Sequence, residues 1–116
     1  MLEISFFNFL SELSQNNYKE WFHANKKRYI SELKDPFARL IADLLLELGF
    51  DVPVKDCIFR INRDIRFSKD KTPYKTNRTA VISKFGTKDK VYPGFYVFTG
   101  LDKMMIGGGA YFLEKE

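Results

Sequence analysis

The strongest constraint on the fold is a change in hydrophobic period close to residue 49. Before this point, apolar residues recur at helical spacing, and Gly49 follows as the residue best suited to a left-handed helix end. From residue 58 onward, apolar and polar residues come close to alternating, as they do in strands. Helices followed by strands predict an α+β fold, with three N-terminal helices and an antiparallel meander of about four strands.

The predicted helices have separate start signals. Ser5 is expected to cap the first helix, and Asn17 with Glu20 forms a capping-box pattern for the second. Asp35 followed by Pro36 predicts the start of a third helix that ends at about Leu48. The predicted apolar stripe of that third helix consists of Phe37, Leu40, Ile41, Leu44 and Leu48.

The predicted strands cover residues 58–67, 79–85, 95–99 and 104–113. In the first of them, strict alternation would place the polar residues Arg60, Asn62, Asp64 and Arg66 on one face. Arg63 would then lie on the opposite, otherwise apolar face.

Length and composition indicate a single packed domain over residues 1–116. The apolar fraction is 45%, and the 12 Phe residues predict a core built on large aromatic side chains. One Cys and one His cannot supply a usual zinc or iron–sulfur ligand set, so we predict no metal site. No pattern indicates a cofactor.

The sequence also indicates a compartment. The longest apolar-rich run, residues 40–50, is too short to span a bilayer and contains Asp43 and Glu47. The first residues lack the basic character of a secretory signal. A single cysteine, Cys57, fits a reducing environment. We therefore expect a cytoplasmic protein that does not contact membranes.

Positive charge is concentrated in residues 60–78. Seven of these residues are Lys or Arg and two are Asp, which gives this segment a net charge of +5, against +4 for the whole chain. Guanidinium groups bind phosphate or carboxylate through paired donors, and hydroxyl groups lie close by in sequence. The segment therefore predicts a site for a small anionic ligand. The candidate ligand-binding residues are Arg60, Arg63, Arg66, Ser68, Lys69, Lys71, Tyr74 and Lys75.

A structural interpretation of the same residues is equally consistent with the sequence. Asp64 can bridge neighbouring arginines, and Asp70 lies between two lysines. Carboxylates held ionised by such neighbours are poor general bases, so the sequence does not decide whether the protein is an enzyme. Tyr74 can pin the loop through its ring and hydroxyl, and the three glycines at 107–109 fit a bulge or close packing better than a phosphate cradle.

Several motifs in order resemble one microbial family of conserved hypothetical proteins, known as domain of unknown function twenty-four sixty-one. The resemblance covers nearly the whole chain and is densest from Phe59 to Thr76. The matching pieces are Lys19-Glu20-Trp21-Phe22, Pro36-Phe37, Arg63-Asp64, Arg66-Phe67-Ser68-Lys69-Asp70-Lys71-Thr72-Pro73-Tyr74-Lys75-Thr76, Pro93-Gly94-Phe95-Tyr96 and Ile106-Gly107-Gly108-Gly109.

This resemblance implies a fold neighbourhood without a function, since the family has no established activity. Its members are about twice this long, so the chain is expected to correspond to the N-terminal half of the family domain. A half-domain can leave a strand edge uncovered, which would favour a homo-oligomer.

The sequence is therefore consistent with three functions. Anion binding is placed first, and a structural Arg/Asp/Lys network, with function elsewhere or in a partner, is a close second. Nucleic-acid binding comes third: a pI of about 9.2 and the aromatic residues Phe67, Tyr74 and Tyr92 permit it, but positive charge is confined to one short segment.

Overall fold

A computed structural model describes residues 2–82 and 94–109. The helical half contains α1 (Ile4–Gln15), α2 (Lys19–Ala24), α3 (Lys26–Arg28), a π-helix (Tyr29–Lys34), α4 (Asp35–Leu48) and a short 3₁₀ helix (Val54–Asp56). Three strands follow, β1 (Arg78–Ile82), β2 (Gly94–Thr99) and β3 (Met104–Gly109). The predicted α+β order, with helices before an antiparallel sheet, is confirmed.

The sheet has the strand order β1-β2-β3, and both pairings are antiparallel. Three strands are present in the described residues, where about four were predicted. The predicted strand ends at 83–85 and 110–113 lie outside the described residues. β3 is the outer strand of this described sheet, and Met104, Met105 and Ile106 are exposed on it. Self-association through this edge stays a prediction.

The strand predicted at residues 58–67 was wrong, because the segment pairs in two short pieces whose registers differ. In the first piece, Ile58 pairs with Ala80, and the Phe59 N–H donates to the Thr79 carbonyl at 3.0 Å. In the second piece, Asn62 pairs with Tyr74. Between the two, the single residue Arg60 lies opposite residues 76–78 of the partner segment. This bulge, with three residues opposing one, interrupts the ladder and therefore the predicted alternation of faces.

The start and the end of α4 match the sequence prediction, whereas the capping roles predicted for Ser5 and Asp35 are wrong. Gly49 has φ of 73° and terminates α4 in the left-handed conformation. Ser5 lies inside α1, which is preceded by Glu3. Asp35 has helical dihedral angles and follows the π-helix without a break. We attribute the wider π turn to Pro36, whose ring crowds the preceding turn and which lacks an N–H donor.

The core lies between the helices and one face of the sheet. Phe6, Phe9 and Phe37 are fully buried, as the Phe-rich composition predicted. The sheet contributes Ala80, Ile82, Val97 and Thr99, which alternate with less buried residues; we call their side of the sheet the inner face. The outer face carries Thr79, Val81, Tyr96 and Phe98.

Asn17 does not cap a helix as predicted, because its side chain holds the backbone of Tyr74. Asn17 Nδ2 donates to the Tyr74 carbonyl at 2.8 Å, and the Tyr74 N–H donates to Asn17 Oδ1 at 3.0 Å. The Tyr74 ring stacks on Phe22 with centroids 4.1 Å apart and an interplanar angle of 18°. Phe22 of α2 and Asn17, which precedes α2, therefore fix the basic segment, residues 60–78, to the helices.

We expect Asn17→Ala to lower the free energy of unfolding by about 1–3 kcal/mol, because it leaves two part-buried backbone groups of Tyr74 without partners. Asn16→Ala is the matched control, since the Asn16 side chain donates only to the exposed Glu12 carbonyl. Urea denaturation measures both variants. Equal losses of stability would contradict this role for Asn17.

Candidate functional site

Basic residues of the segment 60–78 form two sets. Those of the first set bond to acceptors within the protein, and those of the second set form no ion pair with a described residue. Arg63 belongs to the first set. Its Nη1 donates to Thr72 Oγ1 at 2.7 Å, to the Thr72 carbonyl at 2.9 Å and to the Asp70 carbonyl at 3.2 Å. Nη1 also lies 3.4 Å from an Asp70 carboxylate oxygen, and Nη2 donates to Ser68 Oγ at 3.4 Å. Arg63 therefore organises the loop that contains the Pro73 corner.

Two further basic residues bind within the same loop. Arg66 forms a two-point pair with Asp64, with Nε–Oδ1 at 3.0 Å and Nη2–Oδ2 at 2.9 Å. Lys71 Nζ donates to the Ile65 carbonyl at 2.7 Å. These contacts are those of the structural network considered from the sequence.

Both acids of the loop are held in the ionised form. The side-chain bond from Arg66 is the main cause that lowers the pKa of Asp64. The Thr72 backbone N–H is the main cause that lowers the pKa of Asp70, with Arg63 contributing. Carboxylates whose proton affinity is reduced in this way are poor general bases near neutral pH.

The second set is formed by the bulge, which brings together Arg60, Lys75 and Arg78; we call these three residues the basic cluster. Arg78 begins β1 on the inner face, is 5% exposed, and lies with its guanidinium carbon 5.8 Å from the centre of the Phe37 ring. Its Nε is buried, and no described residue accepts a hydrogen bond from it. No ion pair between described residues includes any member of the basic cluster.

Positive charge is disfavoured at two members of the cluster, Lys75 and Arg78. Burial is the first cause that lowers the pKa of Lys75, followed by repulsion from Arg78 and then from Arg60. Burial also lowers the pKa of the Arg78 guanidinium, against a smaller opposite effect of Tyr29. Both directions show that positive charge is disfavoured here, which is the environment that a bound anion would relieve.

Lys75 opens onto a groove of about 510 Å³ on the outer face of the sheet. Its volume lies in the range typical of small-molecule sites. Asp64 also borders the groove, but its carboxylate is already paired with Arg66. The lining residues are Phe59, Arg63, Asp64, Lys75, Asn77, Thr79, Tyr96 and Phe98.

The structure therefore separates the residues that the sequence predicted as one site. Arg63, Arg66, Ser68 and Lys71 make internal contacts, and Lys69 is exposed. Tyr74 is buried at 5% exposure within its stack on Phe22. Of the predicted set, Arg60 and Lys75 belong to the basic cluster.

Arg78 was missing from the predicted set, although it lies at the end of the basic segment. The signal for it was alternation: Arg78 has the same parity as Ala80 and Ile82, so it had to lie on the buried face of β1. An arginine at such a position is rarely buried unless a partner compensates its charge.

Other kinds of site receive no support from the described part of the chain. Across residues 2–82 and 94–109, no group of three or more His, Cys, Asp or Glu side chains could hold a metal ion. No described helix is long and apolar enough to cross a bilayer.

Comparison with known families shows to which family the chain belongs. The family model named DUF2461, a conserved hypothetical protein, matches residues 5–116. The chain belongs to this family. Searches among curated proteins and among solved structures found no match. Membership of DUF2461 confirms the resemblance seen in the motifs, and it assigns no activity.

We expect Arg63→Lys to lower the free energy of unfolding by about 1–3 kcal/mol, because an ammonium group cannot reproduce bonds from two guanidinium nitrogens to separate acceptors. The matched control is Arg66→Lys, because the Arg66–Asp64 pair is largely exposed and such pairs contribute little. Chemical denaturation of both variants tests the difference. A larger loss for Arg66→Lys would overturn the assignment of Arg63 as the organiser of the loop.

Proposed function

We propose that this DUF2461 protein binds a small ligand carrying a phosphate or carboxylate group at the basic cluster. Lys75 is the direct contact, because it borders both the cluster and the groove. Arg60, which is exposed, and Arg78, which lies on the inner face, add positive charge close to Lys75. The observation that carries this proposal is the buried Arg78, whose Nε has no described partner and whose charged neighbours in the cluster are both cations.

The energetic argument rests on the cost of burying charge. An ionised group removed from water costs several kcal/mol unless opposite charge and hydrogen bonds compensate it. The two neighbouring cations add repulsion to that cost. An oxyanion at Lys75 accepts charge-assisted hydrogen bonds and supplies negative charge, so its binding would offset the repulsion among the three cations.

The structural network and the proposed anion site concern different residues. Arg63, Arg66 and Lys71 already have acceptors within the loop, so binding a ligand through them would require breaking those bonds. The basic cluster has no such competing pairs among the described residues. Internal pairing of the loop supports the proposal, because the carboxylates of Asp64 and Asp70 already bond to Arg66, Thr72 and Arg63 rather than to a member of the cluster.

The cytoplasmic location is also a proposal. It rests on Cys57, a single cysteine that is buried, with its Sγ 3.8 Å from the Pro53 carbonyl oxygen. A buried thiol of this kind is a small core residue, as expected in a reducing compartment.

Lys75→Met should weaken binding of inorganic phosphate by at least about tenfold, because one charge-assisted contact contributes about 1.5–3 kcal/mol. Isothermal titration at low ionic strength measures it. Lys55→Met is the control, since Lys55 is an exposed lysine of the 3₁₀ helix outside the basic segment. Phosphate that does not bind the unmodified protein, or that binds Lys75→Met as tightly, would disprove the proposal.

Arg78→Met should leave the ligand-free protein equally stable or stabilise it by about 1–4 kcal/mol, because an uncompensated buried charge is replaced by an apolar side chain of similar length. The same substitution should weaken phosphate binding. Urea denaturation with and without phosphate measures both effects. A loss of several kcal/mol without ligand would show that Arg78 is held by a partner inside the protein, and would remove the observation on which the proposal depends.

A further inference from the structure

We propose that the ligand of this groove is a free nucleoside phosphate, whose base lies against aromatic side chains on the outer face of the sheet while its phosphate meets Lys75. This inference rests on the proposed function for the phosphate end. It adds the second half of the ligand, which comes from a separate set of residues.

Aromatic side chains border the groove from two sides. Tyr96 and Phe98 belong to β2, the central strand of the described sheet, and project from the outer face, since the alternating residues Val97 and Thr99 are buried. Phe59 lies next to β1, where its N–H donates to the Thr79 carbonyl. Three rings thus face one groove of about 510 Å³, a volume suited to one small ligand.

These rings are not part of the core. The helices pack on the inner face of the sheet, where α4 contacts β1, and Phe59 is 38% exposed. Aromatic residues on a sheet face away from the core form a stacking platform in single-stranded RNA-binding sheets, which use it for bases. A planar base covers such rings and gains stacking energy from each of them.

The ring of Phe98 lies close to the backbone of Gly100. A Cβ atom added at Gly100 would lie 3.0 Å from Cε1 of Phe98, which is tighter than most side-chain contacts. Glycine at this position lets the ring lie against the β2–β3 turn. A ring fixed in this way loses less freedom when a ligand stacks on it.

Polar groups occupy the same groove. Lys75 Nζ lies 5.7 Å from the centre of the Phe59 ring, so the cation stands next to one edge of the platform. Asn77 Oδ1 accepts a bond from Thr79 Oγ1 at 2.9 Å, and Asn77 Nδ2 donates to no acceptor among the described residues. A free amide donor next to aromatic rings can bind the edge of a base.

The experiment compares three probes by isothermal titration on the full chain: inorganic phosphate, ribose 5-phosphate and adenosine 5′-monophosphate. We expect the nucleotide to bind at least about tenfold more tightly than ribose 5-phosphate, as stacking on one ring predicts. Phe98→Leu and Phe59→Leu should each weaken nucleotide binding about fivefold to tenfold and leave ribose 5-phosphate unchanged. Phe67→Leu is the control, because Phe67 is 94% exposed outside the groove.

The outcomes separate this inference from the proposed function. If ribose 5-phosphate and the nucleotide bind equally well, the anion site stands and the nucleotide assignment is overturned. If none of the three probes binds, both proposals fail. An eight-residue single-stranded RNA that binds far more tightly than the nucleotide, with steep salt dependence, would replace the free nucleotide by a nucleic-acid strand.

Discussion

The two hydrogen bonds between Asn17 and the backbone of Tyr74 join the two halves of this protein. They connect residues that are 57 positions apart, and the stack of Tyr74 on Phe22 adds aromatic contact at the same point. Tyr74 also pairs with Asn62 on its other side. The segment that follows Tyr74 is therefore fixed before β1 begins. Because β1 begins only four residues later, the position of Tyr74 determines where the bulge falls.

The bulge explains why one basic segment contains two different electrostatic environments. On the loop side, Arg63 and Arg66 find carboxylates and carbonyl groups within a few residues, so their charge is satisfied locally. On the strand side, Arg78 lies on the inner face because it alternates with Thr79 in β1, and the bulge keeps Lys75 and Arg60 close to it. The structural network and the anion site were competing interpretations of the sequence. In the folded protein, the network and the proposed anion site are adjacent parts of one segment.

Local patterns predicted the larger features correctly. The helix α4 and its end at Gly49, the strand at β2, and the concentration of positive charge all follow from spacing and residue type. The predicted stripe of α4 was wrong at its end, because Leu48 is exposed and Leu45 is buried instead. Helix starts were predicted less well. The side chain of Asn17 does bond to backbone groups, as a capping residue would. The groups belong to the distant residue Tyr74, however, and not to the first turn of α2. Side-chain amides bind any suitable backbone group, and sequence spacing alone cannot say which one is near.

The candidate site could be predicted from the sequence only as a segment, residues 60–78. The sequence by itself determined the helices-then-sheet order, the Phe-rich core and the positive segment, because these depend on periodicity and composition within short windows. Only the tertiary structure decided which cations are paired, because pairing depends on a register shift between residues 57–63 and 73–81 that alternation does not reveal. It also decided that Phe59, Tyr96 and Phe98 border one groove, since these rings come from distant parts of the chain and meet only when the strands align.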